Sequence, residues 1–249
     1  MLKTVAERLS RGRSFRRRLP SAYGGCRMHI SPECGLSYWF GLQPSAKLLD
    51  NAAETIRPGN IVWDVGANMG LFSFAAAGLA GPGGRVYSFE PDTTLVHLLR
   101  RSARLNPKAA PVEVIPCAVS DSVSLARFNI AVRSRASNYL AGFGASQAGG
   151  VRETQAVLTV SLDWMAERIP APDVLKIDVE GAELGVFRGA VRLLETHHPV
   201  ILFESHPQDR DEVSSLLLRL GYTLYDSDLP ATRRQQLSAP AYNTLAVPS

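Results

Sequence analysis

The chain has little that would take it into a membrane, an oxidising compartment or a repeat array. Its longest apolar runs, such as Val200 to Phe203, fall far short of the ~20 residues that cross a bilayer. Three cysteines, Cys26, Cys34 and Cys117, are too few for a disulfide framework and show no C-x-x-C spacing for zinc, so they fit a reducing cytoplasm. Cys117, at the end of an apolar stretch, reads as a small buried hydrophobe. The basic N-terminal residues are followed by no apolar core of the ~7 residues that a secretory signal needs. No internal repeat is visible, and the nicotinamide fingerprint G-x-G-x-x-G is missing, because 68 is Asn and 71 is Leu where it needs glycine. What remains is ordinary globular material, 249 residues with 45% hydrophobic and 20% charged, enough for one sizeable core with appendages.

Charge is unevenly spread. Residues 1–20 hold Lys3, Arg8, Arg11, Arg13, Arg16, Arg17 and Arg18 against Glu7 alone, a balance of +6, so the rest of the chain is at −2 under the overall +4. This stretch reads as a flexible, solvated leader. Its arginines, with Val5 and Leu9 one helical turn apart, also suit peripheral contact with an anionic membrane, whereas specific nucleic-acid binding is not expected.

Hydrophobic patterning alternates between short buried runs and amphipathic stretches, the pattern of an α/β protein with a doubly wound, mostly parallel sheet. Residues 21–57 form an N-terminal loop and a helix over 45–56, with the aromatics Tyr38, Trp39 and Phe40 before it as cover for a ligand site or a sheet edge. Residues 58–249 form the main domain. Strands are predicted at 61–65, 85–90, 112–117, 174–178 and 200–205, and helices at 69–79, 93–105, 184–195 and 209–220. Two late strands near 222–226 and 242–247 complete a seven-stranded sheet, with a surface loop at 231–239. The Gly- and Ser-bearing insertion 129–153 is a candidate substrate lid, in which Arg133, Arg135, Asn138 and Tyr139 are placed to meet an acceptor.

DVGANMG at 64–70 is the most informative stretch. An apolar strand ends at Asp64, glycines at 66 and 70 let the backbone turn tightly toward a ligand, and a helix follows. The next strand ends on Glu90, where such folds place a carboxylate for a ribose diol. A dinucleotide would set its pyrophosphate beside the Asp64 carboxylate, which repels it. S-adenosylmethionine carries a sulfonium and an ammonium and no phosphate, so Asp64 and Asn68 suit it.

VLKIDVEGAE at 174–183 alternates Lys176, Asp178 and Glu180 with apolar residues, so the three lean one way if the strand persists. Lys176 is predicted to be an ion-pair partner for Asp178 or a neighbouring carboxylate. Asp178 closes the strand at the lip of the crevice, Glu180 stands beside it, and Glu183 caps the following helix. ILFESHP at 201–207 adds Glu204 and His206, giving a carboxylate and imidazole cluster able to take a proton from an alcohol or to hold a divalent metal. No compact metal-ligand motif accompanies it, which favours a metal-free base.

DVGANMG, FEP at 89–91, LKIDVEGAE with Gly189-Ala190, and FES at 203–205 together resemble the FkbM-type family of S-adenosylmethionine-dependent methyltransferases over residues 58–206, with an echo in YNTLAVP at 242–248. The resemblance implies a Rossmann-like class I methyltransferase fold and O-methylation of a hydroxyl on a sugar, glycan, glycolipid or polyketide-like metabolite. It implies cofactor contacts from Asp64, Gly66, Ala67, Asn68, Gly70, Glu90 and Pro91, with Ser120 and Asp121 near the adenine edge. Asp178, Glu180, Glu204 and His206 would face the acceptor, with Asp178 or His206 as the base. Two other readings are a nicotinamide oxidoreductase, disfavoured by the missing glycines, and a non-catalytic adenosyl-binding module docked through the basic leader.

Overall fold

Alternation along the central strands decides the architecture. In the computed structural model, which describes residues 13–32, 46–132, 134–142 and 150–249, Val62 and Val86 point to one face of the sheet while Trp63 and Tyr87 point to the other. Each face carries its own core, so the chain needs helices on both.

A short hairpin comes first, β1 (Phe15–Arg18) paired antiparallel with β2 (Arg27–Ile30). Then follow α1 (Ala46–Thr55), β3 (Ile61–Val65), α2 (Leu71–Ala80), β4 (Arg85–Phe89), α3 (Thr93–Ala103) and β5 (Val112–Ile115). The middle of the chain gives β6 (Ala118–Val119), β7 (Ser124–Ala131), β8 (Tyr139–Leu140), β9 (Val151–Val160) and α4 (Leu162–Ala166). The last part holds β10 (Val174–Ile177), α5 (Glu183–Arg188), α6 (Val191–His197), β11 (Val200–Glu204), α7 (Arg210–Arg219), β12 (Tyr222–Asp226), β13 (Gln236–Leu237) and β14 (Asn243–Pro248).

The main sheet runs β13-β12-β14-β11-β10-β3-β4-β5. Strands β5, β4, β3, β10 and β11 are parallel, and β14 enters antiparallel between β11 and β12. The sheet is thus eight-stranded and mixed rather than seven-stranded. The extra strand is β13, two residues of the expected 231–239 loop that pair with the outer edge of β12. One core sets α1, α2, α3 and the hairpin against one face. The other sets Trp63, Leu175, Phe187 and Phe203 beneath α4 to α7. Helix α2 is apolar all round (LFSFAAAGLA) because it is buried between sheet and hairpin. Asp92 starts α3, its Oδ1 accepting from the Thr94 amide at 2.8 Å.

Three further expectations are corrected. The predicted helix 184–195 is two helices broken at Gly189-Ala190, where a Cβ on Gly189 would fall 2.4 Å from the Ser120 carbonyl oxygen. The insertion 129–153 is bounded by strands: β7 and β9 form the body of a separate sheet ordered β6-β9-β7-β8, with Phe128, Ile130, Leu140 and Val157 as its core. The leader and the loop 21–43 likewise contain the hairpin strands. Residues 1–12, Tyr38 to Phe40, Arg133 and 143–149 lie outside the described residues.

Candidate active site

The turn after β3 is built by its neighbours. The Gly66 and Ala67 amides both donate to the Phe89 carbonyl, at 3.1 and 3.0 Å, and the Gly70 amide donates to the Ala67 carbonyl at 2.8 Å. Gly66 has φ +74, and a Cβ there would lie 1.8 Å from the Asp178 carbonyl oxygen. The turn therefore packs directly on the chain leaving β10. Asn68, which lines the cleft, also takes a left-handed φ of +52, and its Oδ1 is buried without a hydrogen-bond partner.

Beneath the turn lies an ion-pair knot. The Lys176 ammonium donates to the Gly66 carbonyl at 2.8 Å and sits 3.3 Å from Asp64 and 3.2 Å from Asp178. Burial disfavours that ammonium, but the two carboxylates outweigh the loss and hold its pKa above the usual lysine value. Asp64 is fully buried, its Oδ2 accepting from Ser73 at 2.5 Å, and it does not line the cleft. The expectation that Asp64 touches a ligand is corrected to a role underneath the turn. Gly70 and Ala67 are also buried: Gly70 has φ +94, and its Cα hydrogens face Leu99 and Phe74.

Glu90, just past β4, is buried and accepts from the Asn68 amide through Oε2 and the Asp92 amide through Oε1, both at 2.8 Å. Burial pushes its carboxyl up to about 8 despite those hydrogen bonds. It lines a cavity together with Gly66, Asn68, Pro91, Asp178 and Glu180, bounded on its apolar side by Phe89, Val119, Phe128 and Leu140. Ser120 and Asp121 are not in this lining; Cys117 to Val119 are, so the strand meets the cavity one step earlier than expected. Cys117 is a buried thiol pushed up to about 12 by burial and by Glu90.

Arg135 and Asn138 were expected to meet an acceptor, but both bind Asp92: Arg135 as an ion pair and Asn138 through Nδ2 at 2.9 Å. They fasten the small sheet over Pro91 while still lining the cavity. Sequence reasoning missed Asp92 as the anchor of this contact.

Asp178 is also part of a second cavity, shared with Lys47, Asn51, Glu204, Asp228 and Asn243. Glu180 follows in a left-handed conformation, φ +55, and its carboxyl rises to about 8 through burial and the nearby Asp178, Glu204 and Glu183. Glu204 rises to about 6 through burial and Asp178, moderated by the Tyr242 hydroxyl that donates to its Oε2 at 2.8 Å. Tyr242 went unnoticed in the sequence. Glu183 stands in the first turn of its helix as expected; its Oε1 accepts from the Val179 and Gly181 amides that lead into it, each at 3.2 Å, and its Oε2 lies 3.9 Å from His206 Nε2. His206 therefore faces Glu183 and lines neither cavity.

These residues fit S-adenosylmethionine. Glu90 has lone pairs that a ribose diol would use, Asn68 lines the cavity beside it, the apolar wall suits adenine, and Asp178 and Glu180 would meet the cationic end. A cleft at strand carboxyl ends with these features is where a doubly wound sheet binds a nucleoside-bearing ligand.

The particular family follows from comparison. Residues 64–224 match the methyltransferase FkbM domain, and the chain belongs to that family. A hexuronic acid methyltransferase from Haloferax volcanii is 28% identical over 172 residues, 68% of this chain and 64% of that protein. The 31-O-demethyl-FK506 methyltransferase of Streptomyces tacrolimicus is 31% identical over 197 residues, 68% of this chain and 75% of that one. The chain thus aligns with slightly less than two thirds of the archaeal relative's length. The crystal structure of methyltransferase FkbM from Methylobacillus flagellatus superposes with a TM-score of 0.51 at 18% identity, covering 80% of this chain and 50% of that one, a likeness of fold. Family membership sets aside the nicotinamide reading. Among the described residues no helix is long and apolar enough to cross a membrane.

Proposed function

We propose that the protein O-methylates a hydroxyl of a sugar, glycan, glycolipid or polyketide-like metabolite. The observation that carries this reading is the position of Asp178, which belongs to the walls of both cavities. The first cavity takes the cofactor and the second takes the acceptor, so Asp178 stands where the two meet. The bound cofactor supplies an electrophilic methyl carbon on a sulfonium.

An alcohol is a weak nucleophile until its proton begins to leave, and a carboxylate at the meeting point accepts that proton as the oxygen gains its methyl group. Asp178 has the position for this. Lys176 fixes its orientation from below at 3.2 Å. Glu204, steadied by Tyr242, supplies a further hydrogen-bond acceptor to orient the substrate hydroxyls, while Glu180 lines the cofactor cavity. His206, turned toward Glu183, serves as a positioning residue or as the alternative base. The buried glycine turn and Glu90 hold the cofactor so that orientation supplies most of the acceleration. The relatives' names agree in kind: one methylates a hexuronic acid and one an O-demethylated FK506.

Transfer of label from methyl-tritiated S-adenosylmethionine to a panel of glycans, glycolipids and polyketides tests this reading. Labelling that falls at least a hundredfold in Asp178→Asn while S-adenosylhomocysteine binding persists supports it. Full turnover in both Asp178→Asn and His206→Ala would show that the base is elsewhere.

A further inference from the structure

The basic stretch that the sequence places in a leader continues into the fold. From Arg13 to Pro32 and again from Thr93 to Val112 there is no aspartate or glutamate, while the two segments carry Arg13, Arg16, Arg17, Arg18 and Arg27, then Arg100, Arg101, Arg104 and Lys108. The structure stitches them together. The His29 amide donates to Ser102 Oγ at 2.8 Å, Arg27 and Asn106 exchange hydrogen bonds at 2.7 and 2.6 Å, and Arg101 donates to Ser14 at 3.2 Å.

The hairpin is seated firmly on the body, because a Cβ at Gly24 would lie 2.6 Å from the Gly78 Cα. Arg18, Arg27 and Lys108 rim a single shallow depression floored by Gly24, Gly25 and Asn106. Arg16, Arg17, Arg100 and Arg104 are exposed around it. Arg101 and Arg16 together push the His29 pKa down, in addition to its burial, as a shared positive field would. Among the described residues, Glu113 pairs with Arg85, Asp92 with Arg135 and Asn138, and Asp50 accepts from Tyr23.

We propose that the β1–β2 hairpin and the end of α3 form one docking face for an anionic lipid membrane, with a phosphate headgroup in the depression between Arg18, Arg27 and Lys108. Concentrated arginines attract a negatively charged leaflet. Phe15, 37% exposed on the same strand, adds the apolar side chain that enters a headgroup layer. A surface for single-stranded nucleic acid would offer a series of exposed aromatics for base stacking, and among its described residues this face exposes Phe15. The face lies on a flank of the sheet built from residues that line neither active-site cavity, so docking leaves the cleft open.

The test uses the full-length protein and flotation with phosphatidylcholine vesicles, with and without phosphatidylglycerol. Binding only to the anionic vesicles, weakened by salt and reduced about tenfold or more in Arg16→Glu/Arg27→Glu/Lys108→Glu, is the expected result. S-adenosylhomocysteine binding verifies that this variant folds; if it does not, the neutralising Arg16→Gln/Lys108→Gln protein takes its place. Vesicle binding unchanged by the substitutions, no binding to anionic vesicles, or tighter binding to single-stranded RNA than to those vesicles at equal salt would each overturn the proposal.

Discussion

The Lys176 ammonium donates to the Gly66 carbonyl at 2.8 Å, so a strand on one side of the crevice directly holds the cofactor turn on the other. The same nitrogen neutralises Asp64, which has no exposed surface, and Asp178. Removing it strands a buried charge. Lys176→Met should lower stability by about 3–5 kcal/mol in urea unfolding, more than a surface ion pair contributes. Loss below about 1 kcal/mol would mean that the knot is not a structural element.

Gly66 and Gly59 both have positive φ, but only Gly66 is crowded. Gly59→Ala should cost about 1–2 kcal/mol for the backbone alone. Gly66→Ala must also displace the Asp178 carbonyl, so it should lose more stability than Gly59→Ala and abolish S-adenosylhomocysteine binding. Equal losses in the two variants would refute the packing described for the turn.

Three buried acids should make stability fall as pH rises. Glu90 and Glu180 are raised from 4.5 to about 8, and Glu204 to about 6. Folded pKa values above unfolded ones mean that the native state holds more protons, so this contribution is complete below about 4.5 and is lost as pH climbs to about 8. Glu90→Gln and Glu180→Gln should each flatten the slope across that window. An unchanged slope in both would show that these carboxyls titrate normally.

Tyr242→Phe removes the hydroxyl that lowers the Glu204 pKa. The acid limb of kcat/KM should move to higher pH, with little change in cofactor affinity. A shift in cofactor affinity without a shift of the limb would place Tyr242 in the wrong cavity.

Much of this was legible in the sequence because it rests on local chemistry. A glycine turn after a buried strand, a carboxylate at the end of the next, and Lys176 alternating with apolar neighbours need only short-range patterns, and the five parallel strands fall close to where periodicity puts them. What escaped depends on pairing at a distance. The β7–β9 sheet was hidden because Gly and Ser residues around 142–150 drew attention from the alternating Phe128 and Ile130. Strand β13 is two residues long and exists only because β12 offers an edge. Asp64 looked like a ligand contact, yet no linear pattern announces that Ser73 and Lys176 enclose it. Tyr242 reaches Glu204 only because β14 runs antiparallel beside β11, bringing residues 38 positions apart into contact.

The central claim is that the Glu90 cavity holds S-adenosylmethionine. Calorimetric titration with S-adenosylhomocysteine and, in parallel, NAD tests it most directly, on wild type and Glu90→Ala. The account predicts saturable binding of S-adenosylhomocysteine, none of NAD, and a loss of about 10- to 100-fold in the variant, the worth of two hydrogen bonds at about 0.5–1.5 kcal/mol each. Selective binding of NAD, or S-adenosylhomocysteine affinity unaffected by Glu90→Ala, would contradict it.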